Sequence, residues 1–195
     1  INKHIFEKIT GLKPNNDVLN ILNNPPYNQN SQNNIKLSLS TISKITNLAE
    51  MVSNHETSFF RDLEVYQIIK DMILRNNMKI WSAGCSYGQE AYSLAMLSEN
   101  ISVQENFKIY ASDISKSAVM KAIKGQYSVY RKDEQKRIKI FLPFFSKKLK
   151  KNNQNNLQII IPNTIKDKIN FFQHNLLTSP PLKEFDLIMC RNVLI

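Results

Sequence analysis

Apolar Ile5, Phe6, Ile9 and Leu12, then Val18, Leu19 and Leu22, recur at helical spacing and predict helix within residues 1–24. A polar Asn/Gln/Pro stretch, NNPPYNQNSQNN (23–34), reads as a linker. Ile42, Ile45, Leu48, Ala49 and Val52 return to helical spacing and predict a helix over 35–53. From about residue 64 the pattern alternates. Helix-like VYQIIKDMIL precedes the strand KIWSA, and the helix QEAYSLAMLS follows with Ala91, Leu94 and Ala95 on one face. A second strand, FKIYASD, leads into KSAVMKAIKG, a helix that stops on Gly125 as helices often do. LQIII and INFF read as further strands. FDLIMC (185–190) is a continuous apolar run of the kind buried on both faces. Strands alternating with helices predict an α/β fold with a parallel, doubly wound sheet. No internal repeat is visible.

Composition narrows this picture. The 195 residues fit one domain of ordinary size with an appendage, and 42% apolar content suffices for a real core. No apolar run approaches the roughly 18–20 residues of a membrane span, and no signal peptide opens the chain. A cytoplasmic chain without membrane insertion is expected. Two cysteines, Cys85 and Cys190, are too few for a disulfide framework and are read as reduced thiols. The net charge of +10 invites a polyanionic partner. Crowding with Asn, Lys and Ile, however, accounts for the lysines as compositional bias, so nucleic acid is not expected and an acidic protein partner fits equally. The basic, Asn-rich segment 128–156 reads as a solvated connector with a flexible tip at KKNNQNN. The chain opens on Ile1 and stops inside the apolar run VLI, so both ends look cut.

The chemistry concentrates after the first strand. Ser82-Ala83-Gly84-Cys85-Ser86-Tyr87-Gly88 forms a small-residue turn, which lets backbone approach a ligand in front of a helix N-terminus. No Lys-Ser/Thr follows the second glycine, which disfavours a polyphosphate loop, and the G-x-G-x-x-G pattern is absent. Glu90 at the helix start would repel a pyrophosphate but could receive an ammonium or guanidinium. Asp113 ends the second strand, where a carboxylate accepts hydrogen bonds from ribose hydroxyls; the plainer reading makes it a cap for the helix from Ser115. Together these features favour a ligand with ribose, positive charge and no phosphate. S-adenosylmethionine fits. No metal-ligand spacing is evident around His4 or His174.

Six blocks carry a resemblance: HETSFFRD (55–62), WSAGCSYGQEAYSLAM (81–96), YASDIS (110–115), AIKGQY (122–127), HNLL (174–177) and FDLIMCRNVLI (185–195). In this order and spacing the chain resembles the CheR-type chemoreceptor glutamate methyltransferases over about residues 45–195. The resemblance implies a Rossmann-like methyltransferase sheet, incomplete at the C-terminus, with an N-terminal helical segment. It implies S-adenosylmethionine as cofactor and a monomer that esterifies glutamates on the acidic cytoplasmic helices of methyl-accepting chemotaxis receptors. His55, Thr57 and Arg61 would stand at the cofactor, His55 in place of the family's Asn. Arg61, the candidate catalytic residue, would lie near the methionine end and the incoming carboxylate. Ala83 and Glu90 would contact the cofactor, Asp113 its ribose, and Asn175 and Leu176 its adenine, while Arg191 and Asn192 would close the site. In the family a Tyr-Phe pair follows the last motif, one residue beyond Ile195, and further strands follow that. The domains expected are a divergent helical region over 1–50 and a methyltransferase domain over 51–195, with a small β-subdomain near 145–172.

Other signals weigh less. Asn24-Pro25-Pro26-Tyr27 spells a signature of amine methyltransferases, but no strand precedes it, and it is read as linker. Phe59 and Phe60 are read as core anchors aiming Arg61, and Trp81 and Cys85 as packed residues. An amine methyltransferase and a non-catalytic binding homologue remain as alternative functions.

Overall fold

The computed structural model describes residues 3–10, 12–24, 45, 48, 56–73, 78–100, 107–140 and 156–193. The main sheet holds four parallel strands in the order β5-β2-β1-β6: β1 Lys79–Ala83, β2 Lys108–Asp113, β5 Ile169–Gln173 and β6 Leu187–Met189. β1 is central and pairs Ile80 with Ile109 on one side and with Leu187 on the other. Four of its five residues are buried, as expected of a parallel strand covered on both faces. At β6, the edge of the described sheet, Ile188 is 54% exposed while Met189 is buried.

Helices α3 (Leu63–Ile73), α4 (Gln89–Asn100) and α5 (Lys116–Lys124) flank the sheet. In α4 every residue from Ala91 to Ser98 is buried, not one face alone. The helix packs between the sheet and its neighbours, and its serines are satisfied internally, Ser93 Oγ donating to the Gln89 carbonyl at 2.7 Å and Ser98 Oγ to that of Ala95 at 2.7 Å. Ser115 caps α5, and Gly125 ends it in the left-handed region at φ 62°.

Gly125 passes straight into β3 (Gln126–Val129), a strand the sequence reading did not resolve. β3 pairs antiparallel with β4 (Leu157–Ile160) to make a separate two-stranded sheet. Between them Lys132–Lys139 forms a helix, α6, where a solvated connector was expected. Its lysines face solvent, but Glu134 and Ile138 are buried. The short α7 (Asn163–Lys166) follows β4.

At the N-terminus, α1 (Lys3–Thr10) and α2 (Asn16–Asn23) carry Phe6, Val18 and Leu22 into a second core with Ile45 and Leu48. Ile114, next to the end of β2, packs against that cluster. Apart from Ile45 and Leu48, the helix expected over 35–53 lies outside the described residues, as do Pro25–Tyr27. Among the described residues no helix is long and apolar enough to cross a membrane.

Candidate functional site

The turn after β1 closes over the end of β2. The amides of Gly84 and Cys85 both donate to the Ser112 carbonyl at 2.8 Å, and Gly88 donates to the Cys85 carbonyl at 2.9 Å. Gly84 and Gly88 take φ of 81° and 90°, which only glycine adopts cheaply. A side chain at Gly84 would run into Val193, so residues after β6 lie directly against the loop. At Gly88 an added Cβ would stand 2.8 Å from the Cβ of Ala122 on α5.

Two carboxylates flank this turn. Asp113 is buried at the end of β2. Its Oδ2 accepts the Ser86 amide at 2.8 Å and its Oδ1 the Ser115 amide at 2.9 Å. It therefore ties the loop to Ser115; the cap of α5 is Ser115 itself, whose Oγ accepts the Ala118 amide, and not Asp113 as the plainer sequence reading had it. A carboxylate has about four lone-pair sites, so each oxygen keeps acceptor capacity for a ribose hydroxyl. Glu90, in the first turn of α4, accepts the Ser82 hydroxyl at 2.7 Å and faces Arg191 Nη1 at 3.5 Å. Burial raises its pKa above the ordinary carboxylate value, opposed by the Ser82 hydrogen bond and by the guanidiniums of Arg191 and Arg61. Burial, with the charges of Asp113 and Glu90, also pushes the Cys85 thiol well up and keeps it protonated.

Arg191, just past β6, joins the segment before α3 to Glu90. Its Nη2 donates to the Arg61 carbonyl at 3.2 Å and pairs with Asp62. The segment itself is sharply bent, with Phe60 and Asp62 at φ 51° and 59°. Such αL residues cost about 1–2 kcal/mol each outside glycine, so the surroundings must enforce them. Both phenylalanine rings are fully buried, Phe59 edge-on to Tyr127 and Phe60 edge-on to Tyr66. Thr57, Arg61 and Asp62 line a cavity of about 280 Å³ with Glu56, Ser58, Arg131 and Arg137.

On the far side of Asp113, its carbonyl accepts the His174 amide at 2.9 Å. The His174 ring meets Trp81 edge-on, and burial lowers its pKa, favouring neutral imidazole. Asn175 then makes a tight turn, its Oδ1 accepting the Leu177 amide at 3.0 Å and its carbonyl the Thr178 amide at 2.9 Å. Asn175 and Leu176 are half-buried there.

Of the residues singled out from sequence, Ala83, Asp113, Asn175, Leu176, Arg191 and Asn192 lie at or just past the C-terminal ends of the four parallel strands, the edge where open α/β sheets bind ligands. Arg61 and Glu90 are linked through Arg191, and Thr57 shares the cavity with Arg61. Asn192 is exposed at φ 57°. His55 lies outside the described residues. Sequence reasoning missed Ser93, Glu134 and Arg137, whose partners Phe60 and Phe59 lie 33 to 78 positions away along the chain.

The donor set suits a ligand with ribose and a positive centre. The buried Asp113 and the partly buried Glu90 border a glycine turn, Gln89 follows Gly88 where a phosphate loop has lysine, and the buried Gln89 Oε1 has no hydrogen-bond partner among the described residues. That set fits S-adenosylmethionine.

Comparison with known proteins agrees. Residues 55–195 match the family model described as CheR methyltransferase, SAM binding domain. The chemotaxis protein methyltransferase of Listeria monocytogenes is 32% identical, over 74% of this chain and 55% of that protein. That of Borreliella burgdorferi is 31% identical, over 96% of this chain and 65% of the relative. Chemotaxis protein methyltransferase 1 of Pseudomonas aeruginosa is 28% identical over 76% of this chain. The chain thus spans between about half and two-thirds of the length of these relatives.

Proposed function

The chain belongs to the CheR methyltransferase family and carries its S-adenosylmethionine-binding domain; from that premise we propose that it serves methyl transfer from S-adenosylmethionine to glutamate carboxylates of chemotaxis receptors. The observation that carries this reading is the chain of contacts Arg61–Arg191–Glu90 beside Asp113, at the C-terminal ends of the strands.

S-adenosylmethionine supplies a methyl already activated by its sulfonium. A glutamate of ordinary pKa, about 4.3, is ionised at pH 7 and needs no strong base. The residues therefore have to orient and desolvate two oppositely charged partners. Glu90 and Asp113 offer carboxylate oxygens to the cationic and ribosyl groups of the cofactor. Asn175 and Leu176 border the base, and Thr57 and Arg191 hold the edge of the site. Arg61 orients the incoming carboxylate by charge-assisted hydrogen bonding. The +10 charge is compatible with an acidic partner such as a receptor's cytoplasmic helices.

Incubation of the full-length protein with methyl-labelled S-adenosylmethionine and the receptor's cytoplasmic region tests the proposal. Label released as methanol in mild base supports a carboxyl ester. Base-stable label points to an amine acceptor instead, and cofactor binding without transfer leaves a non-catalytic homologue.

A further inference from the structure

We infer that Glu134 and Arg137 on α6 are positioning residues that grip the Phe59 peptide and thereby hold Thr57 and Arg61 in the working geometry of the site. This deepens the methyltransferase reading and rests on it for the role of Arg61. Glu134 Oε1 accepts the Phe59 amide at 2.7 Å. Arg137 Nε donates to the Phe59 carbonyl at 3.2 Å, and its Nη2 to Ser58 Oγ at 3.3 Å. Both backbone polar groups of one residue are thus taken by side chains three apart on one helix face.

The neighbouring residues are held from other directions. The Phe60 amide donates to Ser93 Oγ on α4 at 2.9 Å, and the Arg61 carbonyl accepts Arg191. The αL turn at Phe60 and Asp62 is therefore over-determined by three separate elements, as strained backbone near a functional site requires. Like the Ser93 contact, the α6 grip has no place in the cofactor chemistry. An apolar side chain would fill the Glu134 position at lower desolvation cost, so the buried carboxylate answers the demand of the Phe59 amide. Charges around it are Arg137, Arg131 and Asp133, with Arg137 Nη1 paired to Asp133 at 2.9 Å.

The test compares Glu134→Ala, Glu134→Gln, Arg137→Ala and Arg137→Lys in the full-length protein by site-resolved amide exchange and by steady-state kinetics. Glu134→Ala and Arg137→Ala are expected to speed exchange at residues 58–62 about tenfold or more, with β1 and β2 unchanged. They should raise KM for S-adenosylmethionine and lower kcat, together costing roughly 10–100-fold in kcat/KM. Glu134→Gln keeps the acceptor and should return both readouts to within about threefold of the parent. Should Glu134→Ala lose the fold, Arg137→Lys, which keeps the charge but not the fork, should still loosen 58–62 selectively. Wild-type exchange and kinetics in both alanine variants, or Glu134→Gln failing as badly as Glu134→Ala, would overturn the inference. A parent that binds no S-adenosylmethionine would sink the functional proposal alone, because the exchange arm still decides this one.

Discussion

Arg191 and Asp62, 129 residues apart in sequence, meet as an ion pair, and the same guanidinium reaches the Arg61 carbonyl and Glu90. The three contacts are not equal. Asp62 is 63% exposed and Glu90 only 15%, so solvent screens the first far more. Arg191→Ala leaves Glu90 with the Ser82 hydroxyl but without its guanidinium partner and should cost about 1–3 kcal/mol in denaturant unfolding, with cofactor affinity falling in step. Asp62→Asn should cost no more than about 1 kcal/mol. Equal damage from both would place the strength in the exposed pair.

Glu90 has a folded-state pKa raised by burial, so its contribution to stability is fully present below the ordinary carboxylate value and is lost as pH rises through the raised one. Glu90→Gln removes that loss. Without ligand, the variant should melt at or above the parent near pH 7, and the difference should vanish as pH falls toward 4.5. Cofactor affinity should move the other way, weakening roughly tenfold by calorimetry for loss of one charged contact. A variant less stable at pH 7 yet unimpaired in binding would reverse both assignments.

Asp113→Ala strips acceptors from the Ser86 and Ser115 amides and, under the proposed function, from the cofactor's ribose. Cofactor binding should weaken by roughly 1–3 kcal/mol. Unchanged affinity in a titration would remove Asp113 from the site and leave it a loop clamp.

Gly88→Ala forces a left-handed φ of 90° on alanine and drives its Cβ to 2.8 Å from Ala122. Thermal unfolding should show a loss of about 1–3 kcal/mol. Adding Ala122→Gly should recover the steric part; no recovery would make the backbone angle the whole cause.

What the sequence made legible was local. β1, its glycine turn, α4, β2 ending on Asp113 and the Gly125 stop all follow from period and turn chemistry within a few residues, whereas the cap of α5 fell to Ser115 and not to Asp113. β3 was hidden because it starts directly after Gly125 and spans four residues, too few to display alternation. α6 was hidden because charged residues dominate it, and its buried face is a single Glu–Ile step whose partner, Phe59, lies 75 positions earlier.

The sheet order has a consequence for the chain during synthesis. β1 meets β2 soon after both leave the ribosome, but the Lys79 amide waits for the Asp186 carboxylate 107 residues later, and Arg191 follows only after β6. Such long closures are slow relative to local ones. Pulse labelling during refolding should protect β1–β2 amides before Lys79 and Leu187. A nascent chain would then own a partial sheet well before it owns a binding site, and S-adenosylmethionine, which rewards only the finished site, cannot chaperone the earlier steps.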